Sequence, residues 1–471
     1  MQNMKNLKIK RAIFFTCLLS LFIISSCKKF IQVGEPKGTL DRKAAFLDDK
    51  SAVSAISGVY SLMSNASVIN SVIDIRTGLA ADELITTNTN DELLQFSNNS
   101  LLNDNASVLR IWSDLYKLIY NINSVIEGVS GSKTISLATK SQVLGEAYFL
   151  RGFCYYYLVN LYNKIPYVTS TDFEVNSLLA PKDRVETINL IIEDLIKSKN
   201  LLTNNYITGE KARPNKMAAS ALLARIYLNK KDWVKSEAEA TEIITSGLYT
   251  DLPPIGDVFL KQSKETIWQI IPVTANLTPA SLLINATTNT IPLYGLADNL
   301  LNSFEIGDRR FTNWVGKNTV GNIPYYYPAK YKQRTSSTSL NEYFVVFRAG
   351  EQFLIRAEAR ARQNKLTGPN SALEDLNLIR ARAGLSSANA NNLIGVISAI
   401  EKERQVELFV EVSLRWFYIT NTDGFINSEN TRADEILRAV KGNNWNLTDR
   451  YFPIPLSQLN ANPYLVQNPG Y

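Results

Sequence analysis

A helical stretch crowded with aromatic side chains constrains this chain more than any other feature. From Gly145 to Thr169 the sequence reads GEAYFLRGFCYYYLVNLYNKIPYVT. Apolar residues recur at intervals of three and four in its first part, which predicts one buried helix face with Arg151 inside it. Ile165-Pro166 favours extended backbone and ends the helix. We interpret the stretch as a core helix against which other helices pack, rather than as a ligand site.

Helical periodicity recurs on both sides of this stretch and is lost in one long segment. Further helices are predicted over about residues 41–63, 106–129, 184–202, 213–229, 233–246, 348–363, 369–382 and 393–414. The helix over 213–229 has a face of small residues and a turn after it, as in degenerate tetratricopeptide hairpins. Residues 252–343 are rich in proline, with short strand-like runs such as Thr266–Val273, and long irregular segments are often functional. The predicted fold is mostly α, with tetratricopeptide-like helical hairpins supporting an irregular, loop-rich half.

Residues 1–26 are predicted to be a lipoprotein signal peptide. Four basic residues precede an uncharged run over 12–24, which is too short to span a membrane. Ile24-Ser25-Ser26-Cys27 resembles a bacterial lipobox, in which Cys27 is lipidated and becomes the mature N-terminus; an ordinary cleaved signal beside an incidental cysteine is the alternative. Removal of the signal lowers the formal net charge from +6 to +2. A nearly neutral protein is a poor candidate for nucleic-acid binding.

Residue types exclude several kinds of chemistry. The chain contains no histidine, which excludes histidine-based zinc sites and catalytic triads. Cys17 leaves with the signal and Cys27 is assigned to the lipid, so Cys154 remains alone and is predicted to be a small buried residue. The acidic pairs Asp82-Glu83 and Asp91-Glu92 show neither a recognised metal-ligand spacing nor a glycosidase arrangement. We therefore predict no catalytic residue, cofactor or metal site.

Six separated segments, taken in order, resemble the SusD/RagB family of nutrient-uptake outer-membrane lipoproteins. The segments are the lipobox with CKKF at 24–30, EAYFLRGFCYYYLVNLYNKIPYV at 146–168, RPNKMAASALLARIYLNKKDW at 213–233, FRAGEQFLIRAEA…ALEDLNLIRARAGL at 347–385, EKERQVELFVEVSLRWF at 401–417, and FPIP…NPYLVQNPGY at 452–471. Together they extend over essentially the whole mature chain. The sequence departs from the family at Val412-Ser413, where glycine is common and a packing adjustment is expected.

The resemblance implies a fold, a partner and a location. It implies an N-terminal helical half over 27–250 and a C-terminal half over 251–471 with irregular, ligand-facing loops, packed as one unit. It also implies a lipid-anchored protein of the outer membrane that captures an oligosaccharide or peptide and acts as the lid of a SusC-like TonB-dependent transporter. The resemblance implies the extracellular side of that membrane; Lys28-Lys29 replace the acidic residues common after the lipidated cysteine, so the periplasmic face stays the alternative. The alternatives are a helical-repeat adaptor without a ligand and, less favoured, a glycoside-degrading enzyme.

Candidate ligand-binding residues come from the irregular regions. Aromatic faces with a few polar groups suit saccharides. The candidates are Trp314, Tyr294, Tyr325, Tyr326 and Tyr327, with Arg76, Asp82 and Asn313 as polar partners. The alternative is that each aromatic residue anchors the local core. Charged residues of the helical motifs are instead predicted to form ion pairs between helices, because unpaired charges there are costly: Glu146, Arg151, Glu358, Arg380, Arg382, Glu403, Arg404, Glu407 and Arg415.

Overall fold

The computed structural model of the protein describes residues 46–66, 72–249, 251–272, 279–285, 287–334 and 340–471. The predicted signal peptide, the lipidation site at Cys27 and Lys28-Lys29 lie outside these residues. The part of the chain from Phe46 to Tyr471 forms one compact unit. Among its described residues, no helix is both long enough and apolar enough to span a membrane.

Helices dominate the described residues, as predicted. They are α1 Asp49–Asn65, α2 Ile73–Ala80, α3 Asp91–Ser97, α4 Ala106–Gly131, α5 Leu137–Tyr162, α6 Phe173–Asn176, α7 Arg184–Leu201, α8 Lys216–Asn229, α9 Trp233–Thr245, α10 Pro279–Leu283, α11 Asp298–Leu301, α12 Arg309–Trp314, α13 Ala349–Arg362, α14 Ala372–Arg382, α15 Leu393–Glu407, α16 Leu414–Asn421, α17 Arg432–Lys441 and α18 Leu456–Ala461. Side chains of Asp, Asn, Ser or Thr cap many of the N-termini, for example Asn105 before α4 and Ser136 before α5.

Strands occur as three antiparallel pairs within or beside the irregular segment. The strands are β1 Leu84–Thr86, β2 Thr266–Ile270, β3 Tyr294–Leu296, β4 Val315–Val320, β5 Ile323–Pro328 and β6 Phe344–Arg348. β1 pairs with β3, β2 with β6, and β4 with β5. Gly321 and Asn322 connect β4 to β5 and both have positive φ, +56° and +70°. Two such residues are what a tight hairpin turn between twisted strands requires.

The aromatic helix α5 lies at the centre of the fold. Almost every residue from Val143 to Tyr162 is buried, so its apolar surface extends around the helix instead of along one face. Phe149 and Phe153 stack edge-on against Trp268 of β2, with centroids 4.8 and 5.2 Å away. The helix therefore links the neighbouring helices α4 and α7 to the β2–β6 pair.

The predicted helical hairpins are present. α8 and α9 pack against each other, and α9 packs on α13. Small residues allow this close approach, and the buried cluster between the three helices consists of Ala224, Leu228, Ala240, Ile355 and Ala359. α13 pairs in turn with α14. The fold prediction, mostly helical with tetratricopeptide-like hairpins and an irregular half, is confirmed.

The helix predicted over 393–414 is wrong, because the chain breaks there into two helices. α15 ends at Glu407 and α16 begins at Leu414. Between them Val410, Val412 and Ser413 have positive φ of +51°, +40° and +59°. Such backbone strains residues other than glycine and is strongest for β-branched ones. The adjustment that the sequence predicts at Val412-Ser413 is thus a strained backbone conformation.

The C-terminal segment packs as an irregular strap that contains the short helix α18. The Phe452 N–H donates to the Leu161 carbonyl at 2.7 Å, and the Asn468 amide donates to the Tyr162 carbonyl at 3.0 Å. The Phe452 ring is fully buried against Tyr162 and other aromatic rings. The strap therefore covers the end of α5.

Candidate functional site

The hairpin β4–β5 carries three of the predicted ligand-binding aromatic residues. Alternation along a strand places Tyr325 and Tyr327 on one face and Tyr326 on the other, and all three are half-buried. The Tyr327 ring lies across Gly316 of β4, where an added Cβ would come within 2.2 Å of its Cε2 atom. The Tyr326 ring lies 5.7 Å from that of Phe311. Partly exposed rings on a fixed hairpin are suited to stacking on a ligand.

A cleft of about 410 Å³ opens next to Phe311, and we call it the aromatic cleft. Its lining comes from residues 301–312 and includes the rings of Phe304 and Phe311, which meet edge-to-face at 5.5 Å. Ile306 is fully exposed at its rim, and Arg309 is exposed beside it. A concave apolar surface of this size with few polar groups is typical of small-ligand sites.

Buried charges hold the segment that forms the aromatic cleft. The Arg310 side chain is fully buried and donates two hydrogen bonds to Asp308, at 3.0 and 2.8 Å. It also donates to Glu403 and Glu407 of α15. At the rim, Arg380 donates to both carboxylate oxygens of Glu305 at 2.8 and 3.0 Å, which lowers the pKa of Glu305 to about 2. The acids of the cleft are thus neutralised by arginines.

The same ion pairs continue into a buried network between the helices. Arg348 and Arg382 both donate to Glu407 and Glu265. Burial alone would raise the pKa of Glu407, but Arg382, Arg348 and Arg310 together hold that pKa well below its usual range. The network keeps α13, α14 and α15 in register beneath the irregular half.

Three of the predicted ion pairs between helices are confirmed: Arg151–Asp194, Arg380–Glu403 and Arg382–Glu407. Two further pairs, Arg213–Glu146 and Arg415–Asp82, join a helix to a loop, and Arg362–Glu358 lies within α13. Arg404 differs, because its guanidinium stacks over the Tyr418 ring at 4.6 Å. Cys154 is buried as predicted, and burial raises the pKa of its thiol.

The position of Trp314 requires a correction. Its side chain is 1% exposed, and its Nε1–H donates to the Ile255 carbonyl at 3.0 Å. The Phe259 ring packs edge-on against it, and the Lys330 ammonium lies 4.8 Å from its centroid. No face of the indole is available to a ligand, so Trp314 fits the alternative interpretation, a local core anchor.

Asp82 and Asn313 also serve the fold. Asp82 is buried and receives two hydrogen bonds from Arg415, at 2.8 and 2.7 Å, and one from Asn299. Burial would raise the pKa of Asp82, but Arg415 more than offsets this and lowers it. The Asn313 amide donates to the Arg309 carbonyl at 2.8 Å and is half-buried. Asp82 therefore joins β1 to α16 and cannot approach a ligand.

Arg76 and Tyr294 lie together but are largely covered. Arg76 donates to Ser107 at 3.1 Å and to Glu92 at 3.2 Å. Tyr294 is 6% exposed; its burial raises its pKa, and the adjacent Arg76 partly opposes the shift. β3 runs beside β5, since a Cβ on Gly295 would lie 3.5 Å from the Tyr326 carbonyl oxygen. Of the predicted aromatic residues, the three β5 tyrosines are partly exposed, whereas Tyr294 and Trp314 are buried.

The residues of the aromatic cleft were missed by the sequence interpretation. Phe304 and Phe311 lie in the segment expected to be functional, but nothing in their spacing separates them from core residues. Gly307, with φ of +85°, marks the turn that exposes Ile306. Within the described ranges, no group of three or more acidic or cysteine side chains could hold a metal ion.

Comparisons with known proteins agree with this architecture. The family model for starch-binding proteins associating with the outer membrane matches residues 46–228, and the SusD family model matches residues 309–471. A curated relative, SusD-like protein P25 from Formosa agariphila, is 23% identical and aligns over 99% of this chain and 100% of its own length.

Solved structures show the same fold. A SusD superfamily protein from Bacteroides vulgatus superposes with a TM-score of 0.78 at 20% identity, covering 90% of this chain and 100% of the other. Surface glycan-binding protein A from Bacteroides fluxus gives a TM-score of 0.73 at 20% identity, covering 90% and 99% of the two chains. The first of these families is described by starch binding, which agrees with the prediction that the chain is a binding protein and not an enzyme. On its two matching family models and its fold, the chain belongs to the SusD/RagB family.

Proposed function

We propose that the protein binds a neutral oligosaccharide in the aromatic cleft and delivers it to a TonB-dependent transporter. The observation that carries the binding proposal is the pair of rings, Phe304 and Phe311, lining an open cleft of about 410 Å³ beside Tyr326. Family membership supports a glycan as the ligand, since one matching family model describes starch-binding proteins.

The acidic side chains around the cleft are paired with arginines, so the cleft offers no free negative charge to a cationic ligand. Glu305 is paired with Arg380, and Asp308 is paired with the buried Arg310. The exposed Arg309 remains as a hydrogen-bond donor, and its side chain runs along Gly384. A guanidinium can donate several hydrogen bonds to sugar hydroxyls while the rings cover the apolar face of the sugar.

The remaining predicted aromatic residues lie outside the aromatic cleft. Tyr325 and Tyr327 lie on the other face of β5 from Tyr326, and β3 with Tyr294 runs beside that strand. We expect Tyr325 and Tyr327 to offer a longer oligosaccharide a second aromatic surface across the hairpin, while Tyr294, which is 6% exposed, supports the strand. Their direct contact with ligand stays a prediction.

A binding experiment with matched variants tests the cleft. Isothermal titration would measure the dissociation constants of soluble starch and a panel of neutral oligosaccharides for the full chain in detergent. Phe311→Ala and Tyr326→Ala each remove one ring, which is worth about 1–2 kcal/mol, or roughly five- to thirty-fold in affinity. Phe173→Ala is the control, because Phe173 is 80% exposed and lies on α6.

The outcomes separate the alternatives. Weaker binding in both cleft variants and unchanged binding in the control support the proposal. Binding that survives both changes would place the glycan elsewhere on the molecule. If no glycan binds, the helical-repeat adaptor becomes the better interpretation.

The membrane anchor and the partner also belong to the proposal. We expect the lipidated Cys27 to attach the protein to the outer membrane, where one of the family models places its members. Replacement by Cys27→Ala should move the protein from the membrane fraction to the soluble fraction. A β-barrel transporter should co-purify with the lipidated form. Protease treatment of intact cells would decide which face of the membrane the lipidated protein occupies.

The division into halves at residue 250 stays a prediction.

A further inference from the structure

A second open cleft, of about 510 Å³, lies where three distant segments meet. Residues 98–102 follow α3, residues 443–449 follow α17, and Gly470-Tyr471 complete the lining. None of these residues belongs to the aromatic cleft, and no function has been assigned to them above. We call this the amide cleft, because asparagine side chains form much of its lining.

The walls of the amide cleft are fixed to one another. The Lys441 ammonium donates to the carbonyls of Leu79, Ala80 and Ser97, at 2.6, 2.8 and 3.1 Å, and so ties α17 to the segments on either side of β1. The Tyr471 hydroxyl donates to the Tyr451 carbonyl at 2.8 Å. The cleft therefore lies between segments that hydrogen bonds hold together.

The chemistry of the lining is that of neutral amides. Five asparagines line the cleft: Asn98, Asn99, Asn443, Asn444 and Asn446. Each amide both donates and accepts hydrogen bonds, as does each hydroxyl of a sugar. The described lining contains no lysine or arginine, and its one carboxylate, Asp449, already accepts the Asn446 N–H at 2.7 Å. Such a lining offers no positive charge to attract an anionic ligand.

One of these amides has an acceptor left without a partner. Asn99 is 8% exposed, and its Nδ2 donates to the Ala80 carbonyl at 3.1 Å. Its Oδ1 is buried and receives no hydrogen bond from any described residue. Buried polar atoms in native proteins nearly always have partners, so this oxygen calls for an additional donor. Because Asn99 lines the cleft, a rotation of its side chain would let a hydroxyl bound there supply one.

The cleft also offers an apolar surface beside its amides. Leu102 is 55% exposed at the lining, and the ring of Tyr471 is half-buried there. A few convergent polar groups beside apolar surface, in a cleft of several hundred cubic ångströms, are typical of small-molecule sites. We propose that the amide cleft is a second binding site, which takes one neutral sugar unit.

This inference goes beyond the proposed function, because the two clefts share no residue. Phe311→Ala removes a ring from the aromatic cleft and changes no side chain that lines the amide cleft. A sugar bound in the amide cleft should therefore bind equally well to wild type and to Phe311→Ala. The same set of titrations therefore tests the two sites separately, because the loss of binding at one cleft does not change binding at the other.

The test uses free hexoses, namely glucose, galactose and mannose, with the full chain in detergent. Saturation-transfer NMR detects binding, and titration gives the dissociation constant. One variant combines Asn443→Ala with Asn444→Ala, both at exposed positions. A second, Asn99→Gly, removes the buried amide and keeps a residue that tolerates its φ of +51°. Asn205→Ala, an exposed asparagine outside the cleft, is the control.

We expect saturable binding of at least one hexose, unchanged by Asn205→Ala and by Phe311→Ala. Loss of two amide contacts should weaken it roughly tenfold or more in the double variant. The same loss in Asn99→Gly, checked for folding by thermal melting, would confirm the role of the buried oxygen; if that variant unfolds, the double variant alone decides. The proposal is overturned if no hexose binds saturably, or if the double variant binds as tightly as the control.

Discussion

Arg310 is expected to determine whether the aromatic cleft keeps its shape. Its side chain is fully buried, and its guanidinium contacts the carboxylates of Asp308, Glu403 and Glu407. The perturbation is Arg310→Met, which preserves much of the length of the side chain and removes the charge. Arg309→Met, at the adjacent exposed position, is a matched control.

The expected cost follows from which carboxylates lose their partners. Glu407 keeps Arg348 and Arg382, and Glu403 keeps one contact to Arg380 at 3.2 Å. Asp308 loses the only ion pair that the described residues provide for it. Removing one partner of a buried pair typically costs about 3–5 kcal/mol, and we expect a loss of about 3–4 kcal/mol here. The control at an exposed position should stay within about 0.5 kcal/mol of wild type.

Urea denaturation followed by tryptophan fluorescence measures the free energy of unfolding of both variants.

The loss of stability in Arg310→Met should also depend on pH. Burial raises the pKa of Glu403 and Arg310 opposes that shift, so the pKa rises further in Arg310→Met. A carboxyl with a raised pKa in the folded state is stabilising below its ordinary pKa of about 4.5, and this contribution is lost as the pH rises through the folded-state value. The deficit of Arg310→Met should therefore be smallest in acid. A loss below about 1 kcal/mol at neutral pH, relative to Arg309→Met, would refute the reasoning.

Three further perturbations follow from single contacts. Burial and the neighbouring Asp82 raise the pKa of Glu83 to about 8, so its contribution to stability is present in acid and lost as the pH rises through about 8. Urea denaturation on both sides of that pH should show the loss in wild type, and Glu83→Gln should remove it. Lys231 follows α8 and has φ of +62°, so Lys231→Gly should relieve about 1 kcal/mol of strain and raise Tm. A lower Tm in a thermal melt would contradict this expectation. Gly316→Ala should displace the Tyr327 ring and weaken starch binding; unchanged affinity would remove that ring from the binding surface.

Periodicity in the sequence was sufficient for the helices but not for their breaks. The spacing of apolar residues around Arg151 predicted α5, and the small residues of α8 predicted its hairpin. The break after Glu407 was missed because Val410 and Val412 read as ordinary helical positions. Their positive φ depends on distant partners, such as the Glu83 carboxyl that accepts the Val410 N–H at 3.1 Å. Such long-range contacts leave no periodic signal in the local sequence.

The sequence predicted the region of the candidate site but not its individual residues. The irregular segment was expected to carry it, and the three β5 tyrosines are indeed partly exposed. Residue type alone could not separate Trp314, whose indole is buried under Phe259, from Tyr326, whose ring lies beside an open cleft. Exposure depends on which segments fold back over a ring, and that is a property of the tertiary structure.

The strap over the end of α5 makes contacts between residues that are very far apart in the sequence. The bond from Asn468 to Tyr162 joins residues 306 positions apart. Closing a loop of that length costs chain entropy before the contact contributes any stability, which slows folding. A fragment ending near residue 250 would leave the aromatic end of α5 open to solvent. The C-terminal segment thus completes the burial of α5, so burial of this helix indicates that the whole chain has folded.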